Sequence, residues 1–78
     1  MENKSVRITS GQLSSFRKGV NVLCYNEWKH WDSRNDALAF YRECADCSEG
    51  SERERYVNIL FGIMDGRRNV SDSGCFTA

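Results

Sequence analysis

The sequence has no surplus of charge of either sign, a single histidine and no long hydrophobic run, and each shortage removes a class of function. Eleven basic residues balance eleven acidic ones, so the formal net charge is zero. A protein held to nucleic acid by bulk electrostatics needs a basic surplus, because release of counterions from phosphates supplies most of that affinity. No apolar stretch approaches the ~20 residues that span a bilayer, and the start of the chain lacks the basic and apolar regions of a secretory signal. These absences predict a cytoplasmic protein with no membrane partner. Its four cysteines, Cys24, Cys44, Cys47 and Cys75, are then mostly reduced thiols.

Catalytic signals are equally scarce. His30 is the only histidine, and no local motif brings it the nucleophile and orienting acid of a triad. A strand histidine near a hairpin reads as a plain surface residue. There is no phosphate-binding loop, dinucleotide fingerprint, metalloprotease motif or EF-hand loop. The residues point to no catalytic site, no enzyme and no cofactor.

Seventy-eight residues make one domain. A chain this short buries only about 60% of its unfolded surface, so its core is marginal alone and a homo-oligomer would help. Charge is unevenly spread within the neutral total. Lys4, Arg7, Arg17 and Lys18 outweigh Glu2 in residues 1–23, residues 24–50 are acidic, and residues 51–78 balance. No run of like charges is long enough to read as an acidic or basic tail.

The clearest element lies in residues 51–64, SERERYVNILFGIM. Ser51 and Glu54 have the S-x-x-E spacing of a capping box, which predicts a helix starting at Ser51. At 100° per residue, its apolar positions from Tyr56 to Met64 cover an arc of about 200°, against roughly 100° for an ordinary surface helix. One partner does not cover so wide a face. Either a second helix and a sheet share it, or Val57 and Phe61 also reach a second subunit. Gly62 costs about 1 kcal/mol relative to Ala in a helix, which suggests the close approach of another backbone. Asp65-Gly66 ends the helix, with Gly66 suited to a left-handed position.

Upstream, Ser5–Thr9 alternates as a short strand and Val20–Tyr25 is the strongest strand signal. Between them, Leu13 and Phe16 at i, i+3 spacing fit one helical turn or an irregular loop touching the core. Asn26-Glu27 reads as a hairpin turn, returning through a third strand at Trp28–Trp31. Asp32-Ser33 then opens a first helix, with Asp36 completing a weak capping box. Its apolar side carries Ala37, Leu38, Phe40, Tyr41, Cys44, Ala45 and Cys47; Arg42, Glu43 and Asp46 share the other. Gly50 stops it, so the two helices form an αα-hairpin. The expected architecture is α+β, a small antiparallel sheet of two or three strands followed by the hairpin, in the order β-β-β-α-α. Residues 1–68 form the domain and 69–78 a loosely ordered tail.

Cys44-x-x-Cys47 has the spacing of half a zinc site, to which Cys24, Cys75 or His30 would contribute, and also that of a redox pair. It sits late in a helix, where no dipole lowers a thiol pKa, and both sulfurs point into the apolar face. Buried structural thiols and no metal is the better reading. Glu52, Arg53, Glu54 and Arg55 form either a solvated first turn or a recognition patch in which Arg53 and Arg55 fork onto a partner's carboxylates or phosphates. Trp28 and Trp31 straddle the strand three residues apart, so Trp31 is the core candidate and Trp28 the interface anchor.

Asp32-Ser33-Arg34, Ala37, Phe40-Tyr41 and the run from Ser48 to Tyr56 resemble a segment of small uncharacterised proteins carried by mobile elements and phages of gut Firmicutes. The likeness covers roughly residues 20–66, and Glu52-Arg53-Glu54-Arg55-Tyr56 is its most specific part. The chain departs from that group at Asn26-Glu27, where Asn-Gly is expected, and residues 1–19 have no counterpart. The resemblance implies a bacterial, cytosolic accessory protein that regulates element genes or blocks a host defence, and it brings no active site. The leading expectation is a non-enzymatic protein-interaction module, self-associating as a homodimer, with Trp28, Arg53, Arg55, Val57 and Phe61 as its contact residues. The alternative is a small nucleic-acid-associated regulator using Arg7, Arg17, Lys18, Arg67 and Arg68.

Overall fold

A computed structural model describes residues 5–74. In chain order these form β1 (Val6–Ile8), a 3-10 turn (Ser10–Ser15), β2 (Val20–Cys24), β3 (Glu27–Trp31), α1 (Arg34–Asp46), α2 (Gly50–Met64) and β4 (Asn69–Ser71). This is the α+β class expected, with three strands ahead of an αα-hairpin.

The sheet differs from expectation. It has four strands in the order β1-β3-β2-β4. β1 and β2 both pair antiparallel with β3, and β4 pairs parallel with β2. The segment from residue 69 is therefore not a loose tail as far as it is described. Val70 pairs with Val22 and is 1% exposed, and Ser71 and Asp72 are buried behind it. The cause is non-local: without β4, the outer edge of β2 would leave backbone donors and acceptors unpaired beside the core. Residues 75–78 of the predicted tail, Cys75 included, lie outside the described residues.

The hairpin loop falls one residue earlier than Asn26-Glu27. Cys24 pairs with Glu27, leaving Tyr25 and Asn26 as the loop, at φ values of 52° and 62°. Two positive φ values make a type I′ turn, whose twist suits the flanking strands. This register puts Val20 and Val22 on the helix-facing side with Trp31; a slip of one residue would turn all three outward.

Ser33 caps α1 as read, its hydroxyl accepting from the Asp36 N–H at 3.2 Å. α2 starts differently. Glu49 is the N-cap and no side chain caps it, so the Ser51/Glu54 capping box does not form. Gly50, at φ +63°, reverses the chain straight into the helix and leaves Ser51 inside it. The other end matches the sequence. Gly66 takes φ +82°, its N–H donates to the Ile63 carbonyl at 3.1 Å, and the Arg67 N–H donates to Gly62 at 3.2 Å. This is a Schellman closure. Arg34, on the first turn of α1, adds a clamp that the sequence did not announce. Its guanidinium donates to the Arg67 carbonyl at 2.9 Å, to Gly19 at 3.4 Å and to Ile63, binding the end of α2 to the entrance of β2.

The helices cover one face of the sheet, and the other is covered only in part, by different chemistry. On one, Val20, Val22, Trp31 and Val70 pack against Ala37, Tyr41, Ile59 and Ile63. Trp31 Nε1 donates to the Tyr41 hydroxyl at 3.3 Å, so the buried indole is satisfied. On the other, His30 lies under Phe16, with ring centroids 3.9 Å apart and planes 18° apart. The 3-10 turn and Phe16 thus cover His30, the helical alternative of the two readings.

Candidate protein-interaction surface

The outward side of the α1–α2 hairpin carries the least covered apolar surface of the described chain. On α2, Ile59 and Ile63 turn toward the sheet and are buried, whereas Phe61 is 60% exposed and Met64 63%. Between the helices runs a groove of about 710 Å³, within the range of ordinary binding pockets. Leu38 and Ala39 from α1 and Val57, Leu60, Phe61 and Met64 from α2 supply its apolar lining. Arg42, Glu43 and Asp46, all from α1, supply its charge. Burying a large apolar side chain is worth about 1.5–3 kcal/mol, so covering Phe61 and Met64 would drive association by several kcal/mol before its entropic cost. The groove thus combines apolar carbon with an edge of mixed-sign charge.

Of the five contact residues expected from the sequence, the structure gathers two. Val57 and Phe61 line the groove. Arg53 is exposed one turn before Val57, on the same side by helical spacing. Arg55 is elsewhere and already engaged. It reaches Asp72 at 2.9 Å and lies over the Tyr25 ring at 4.9 Å, and the same Asp72 oxygen accepts from the Tyr25 N–H at 3.0 Å. Asp72 is buried, so this pair fastens the end of β4 to the hairpin loop and gives Arg55 an internal role that the sequence did not announce. Trp28 is half-buried on the sheet face away from the helices, beside a shallow polar recess that includes Arg7, Thr9, Tyr25 and Glu27. Arg7 is paired there with Glu27 at 2.7 Å. Trp31 is the core tryptophan, 2% exposed.

The groove residues missed by sequence reasoning were Leu38, Ala39, Leu60 and Met64, together with the charges of α1. Their signal was present in the wide apolar arc of α2, but nothing in the arc says which half the sheet will take.

His30 is buried rather than a surface residue, at 3% exposure. Its Nδ1 faces the Asn21 amide oxygen at 2.8 Å and its Nε2 faces an Asp32 carboxylate oxygen at 2.9 Å. Asn21 also donates to the Leu13 carbonyl at 3.2 Å and to Asn69 at 2.9 Å. This polar cluster holds four segments together: the 3-10 turn, β2, β3 and β4. Such a cluster cannot be seen in the sequence, because its members are scattered polar residues without a spacing rule.

The cysteines divide. Cys24 packs against the core, and burial pushes its thiol up to about 11; burial raises Cys44 as well. Cys47 is exposed at the C-cap of α1, so the expectation that both sulfurs of the C-x-x-C pair point into the apolar face holds only for Cys44, which is half-buried. Cys24 and His30 are on opposite faces of the sheet and do not converge. Among the described residues no group of three or more His, Cys, Asp or Glu side chains is gathered as a metal ion requires. Nor is any helix among them long and apolar enough to cross a membrane.

Comparison of the chain with protein-family models, with curated proteins and with solved structures finds no match.

Proposed function

We propose that the protein is a non-enzymatic protein-interaction module that works through the α1–α2 groove. The observation that carries this reading is the exposure of Phe61 and Met64 beside Leu38, Val57 and Leu60 on the two packed helices. A monomer gains nothing by holding so much apolar carbon in water, and contiguous apolar patches with polar rims are a mark of interaction sites. The likeness of residues 20–66 to accessory proteins of mobile elements and phages supports an inhibitor or adaptor role in a bacterial cytoplasm, with blockade of a host defence as one form of it.

The test is site-specific photo-crosslinking in cells. A photoreactive phenylalanine analogue at Phe61 is expected to give discrete protein adducts, and the same analogue at exposed Thr9 to give none. Equal labelling from both positions, or none from Phe61, would remove the groove as the working surface.

A second reading, a small nucleic-acid-associated regulator, gains support from one observation. Because β4 runs parallel to β2, with the Asn21 N–H donating to the Arg68 carbonyl at 2.7 Å, the pairs Arg17-Lys18 and Arg67-Arg68 lie at the same end of the sheet. Two features weaken it: Arg67 is paired with Asp65 at 2.9 Å, and Arg7 is held by Glu27 on β3. Phosphate binding by this end predicts affinity for a DNA or RNA probe that falls with log salt at a slope of about −0.7 to −0.9 per neutralised phosphate. Absence of binding at low salt excludes it.

A further inference from the structure

The geometry points to a pH-sensitive latch on the sheet face away from the helices, in which His30 carries protons on both ring nitrogens. The cation so formed ties the 3-10 turn, through Phe16, and the entrance of α1, through Asp32, to β3. This inference is independent of the groove and of what occupies it.

The hydrogen-bond partners fix the proton count. Asn21 Nδ2 has two hydrogens, and both are used, toward the Leu13 carbonyl at 3.2 Å and the Asn69 side-chain oxygen at 2.9 Å. Turning the amide over would set its oxygen against a main-chain carbonyl, which has no hydrogen to give. The Asn21 oxygen therefore faces His30, and Nδ1, 2.8 Å from it, is an N–H donor. Nε2 lies 2.9 Å from the Asp32 carboxylate, which only accepts when ionised, so it donates as well. Two donating nitrogens make an imidazolium.

The surroundings suit that charge. At 3% exposure the ring is a costly place for a cation unless it is paired. Asp32 supplies the pairing, and the Phe16 ring, with centroids 3.9 Å apart and planes 18° apart, turns its electron-rich face to the cation. The other elements around the ring bring uncharged groups: Val6 opposite it on β1, Asn21 on β2, and Asn69 on β4 behind Asn21. Arg17 and Lys18, which follow Phe16, are exposed, and Arg34 is directed to carbonyls at the end of α2.

Unequal partners make the arrangement a latch. Asn21 is 1% exposed and bonded to two other segments, whereas the Asp32 side chain is 82% exposed. When one proton leaves, Nδ1 keeps its hydrogen for the Asn21 oxygen, and Nε2 is left with a lone pair facing a carboxylate. Two acceptors repel, so Asp32 turns out into water. The stack on Phe16 loses its cationic partner in the same step. Because the folded state holds a proton that the unfolded chain gives up more readily, the latch is closed on the acid side and opens as pH rises. The helix-side core, on the opposite face of the sheet, is unaffected.

Nuclear magnetic resonance of the full chain, untagged and carrying 15N-labelled histidine, tests this, since His30 gives the only imidazole signals. Both ring nitrogens should keep the protonated signature in the folded chain at a pH where the same chain in urea has lost it. On further alkalinisation Nε2 alone should lose its proton. Amide exchange over residues 10–16, corrected for its intrinsic pH dependence, should then rise by about two- to fivefold, the factor a cation–π contact is worth. Asp32→Asn, at an exposed position, should move the loss of the proton to lower pH, because an amide N–H can donate to the neutral Nε2. Phe16→Leu should keep the cover but remove the pH dependence of exchange beneath it. The latch is overturned by a ring that is neutral wherever the unfolded chain's is. It is equally overturned by an Asp32→Asn variant with an unmoved transition, or by loss of the proton with no change in exchange over residues 10–16.

Discussion

The inner and outer sides of the α1–α2 hairpin are made of similar residues and end in different environments. Tyr41, Ile59 and Ile63 on the inner side are no more than 2% exposed, whereas Phe61 and Met64, a few positions away on α2, are more than half exposed. Hydrophobicity alone does not separate these groups. The difference lies in what each side meets: a four-stranded sheet with Val20, Val22, Trp31 and Val70 on one side, and solvent on the other. An apolar arc of ~200° records how much surface favours cover, and the width of the sheet decides how much receives it.

Deleting side chains from each side challenges this contrast most directly. Ile59→Ala empties a fully buried site and is expected to cost ~2–5 kcal/mol, read as a fall in the urea midpoint. In a domain this small, that is a large share of its stability.

Arg34→Met tests whether the inner side also depends on the clamp at the end of α2. It keeps much of the side chain's bulk but removes the charged donor shared by the Gly19, Ile63 and Arg67 carbonyls. The expected loss is about 1.5–3 kcal/mol, with faster amide exchange at the last turn of α2.

Alkaline titration probes the inner side without deleting a side chain. Burial raises the Cys24 thiol from 9.0 to about 11, so the folded state holds this proton more tightly than the unfolded chain. The associated stability is fully present below pH 9 and is lost as pH rises toward about 11. Tyr56 adds a similar loss from its ordinary 10.0 up to about 12. The urea midpoint should therefore begin to fall just above pH 9, the ordinary value of the thiol, and Cys24→Ser should flatten the first part of that fall. An unchanged slope in the variant would place the alkaline sensitivity elsewhere.

The smallest expected change in stability is on the outer side. Phe61→Ser should alter monomer stability by no more than ~0.5 kcal/mol, since the ring is largely in solvent already. On the proposed reading, its effect belongs to association. A loss of several kcal/mol in the dilute monomer would mean that the outer side supports the fold and would erase the contrast between the two.

What the sequence revealed follows the range of the forces involved. Ser33 capping Asp36, the Gly66 closure of α2 and the strands around Val22 and Trp31 depend on neighbours within a few residues, and each was legible. The Ser51/Glu54 pattern misled because Gly50 starts the helix one position early, which a spacing rule does not detect. β4 was missed because Asn69-Val70-Ser71 has a single apolar residue, and its place in the sheet comes from β2 and the buried Asp72. The burial of His30 depends on Phe16, Asn21 and Asp32 arriving from different segments. For the groove, Val57 and Phe61 were legible as excess hydrophobicity; the separation of Trp28 and Arg55 from them required the topology.

The late position of β4 in the chain has a consequence for the order of assembly. Asn21 and Asn69, which meet where β2 and β4 pair, are 48 residues apart. Closing so long a loop costs on the order of 3 kcal/mol in chain entropy, while the β2–β3 hairpin closes through a two-residue turn. The hairpin should form first, the helices settle on it next, and β4 dock last. Until it docks, the outer edge of β2 is an open template for any extended strand nearby. Three residues near the end of the chain, Asn69 to Ser71, therefore close the interval in which a newly made copy can pair with the wrong neighbour.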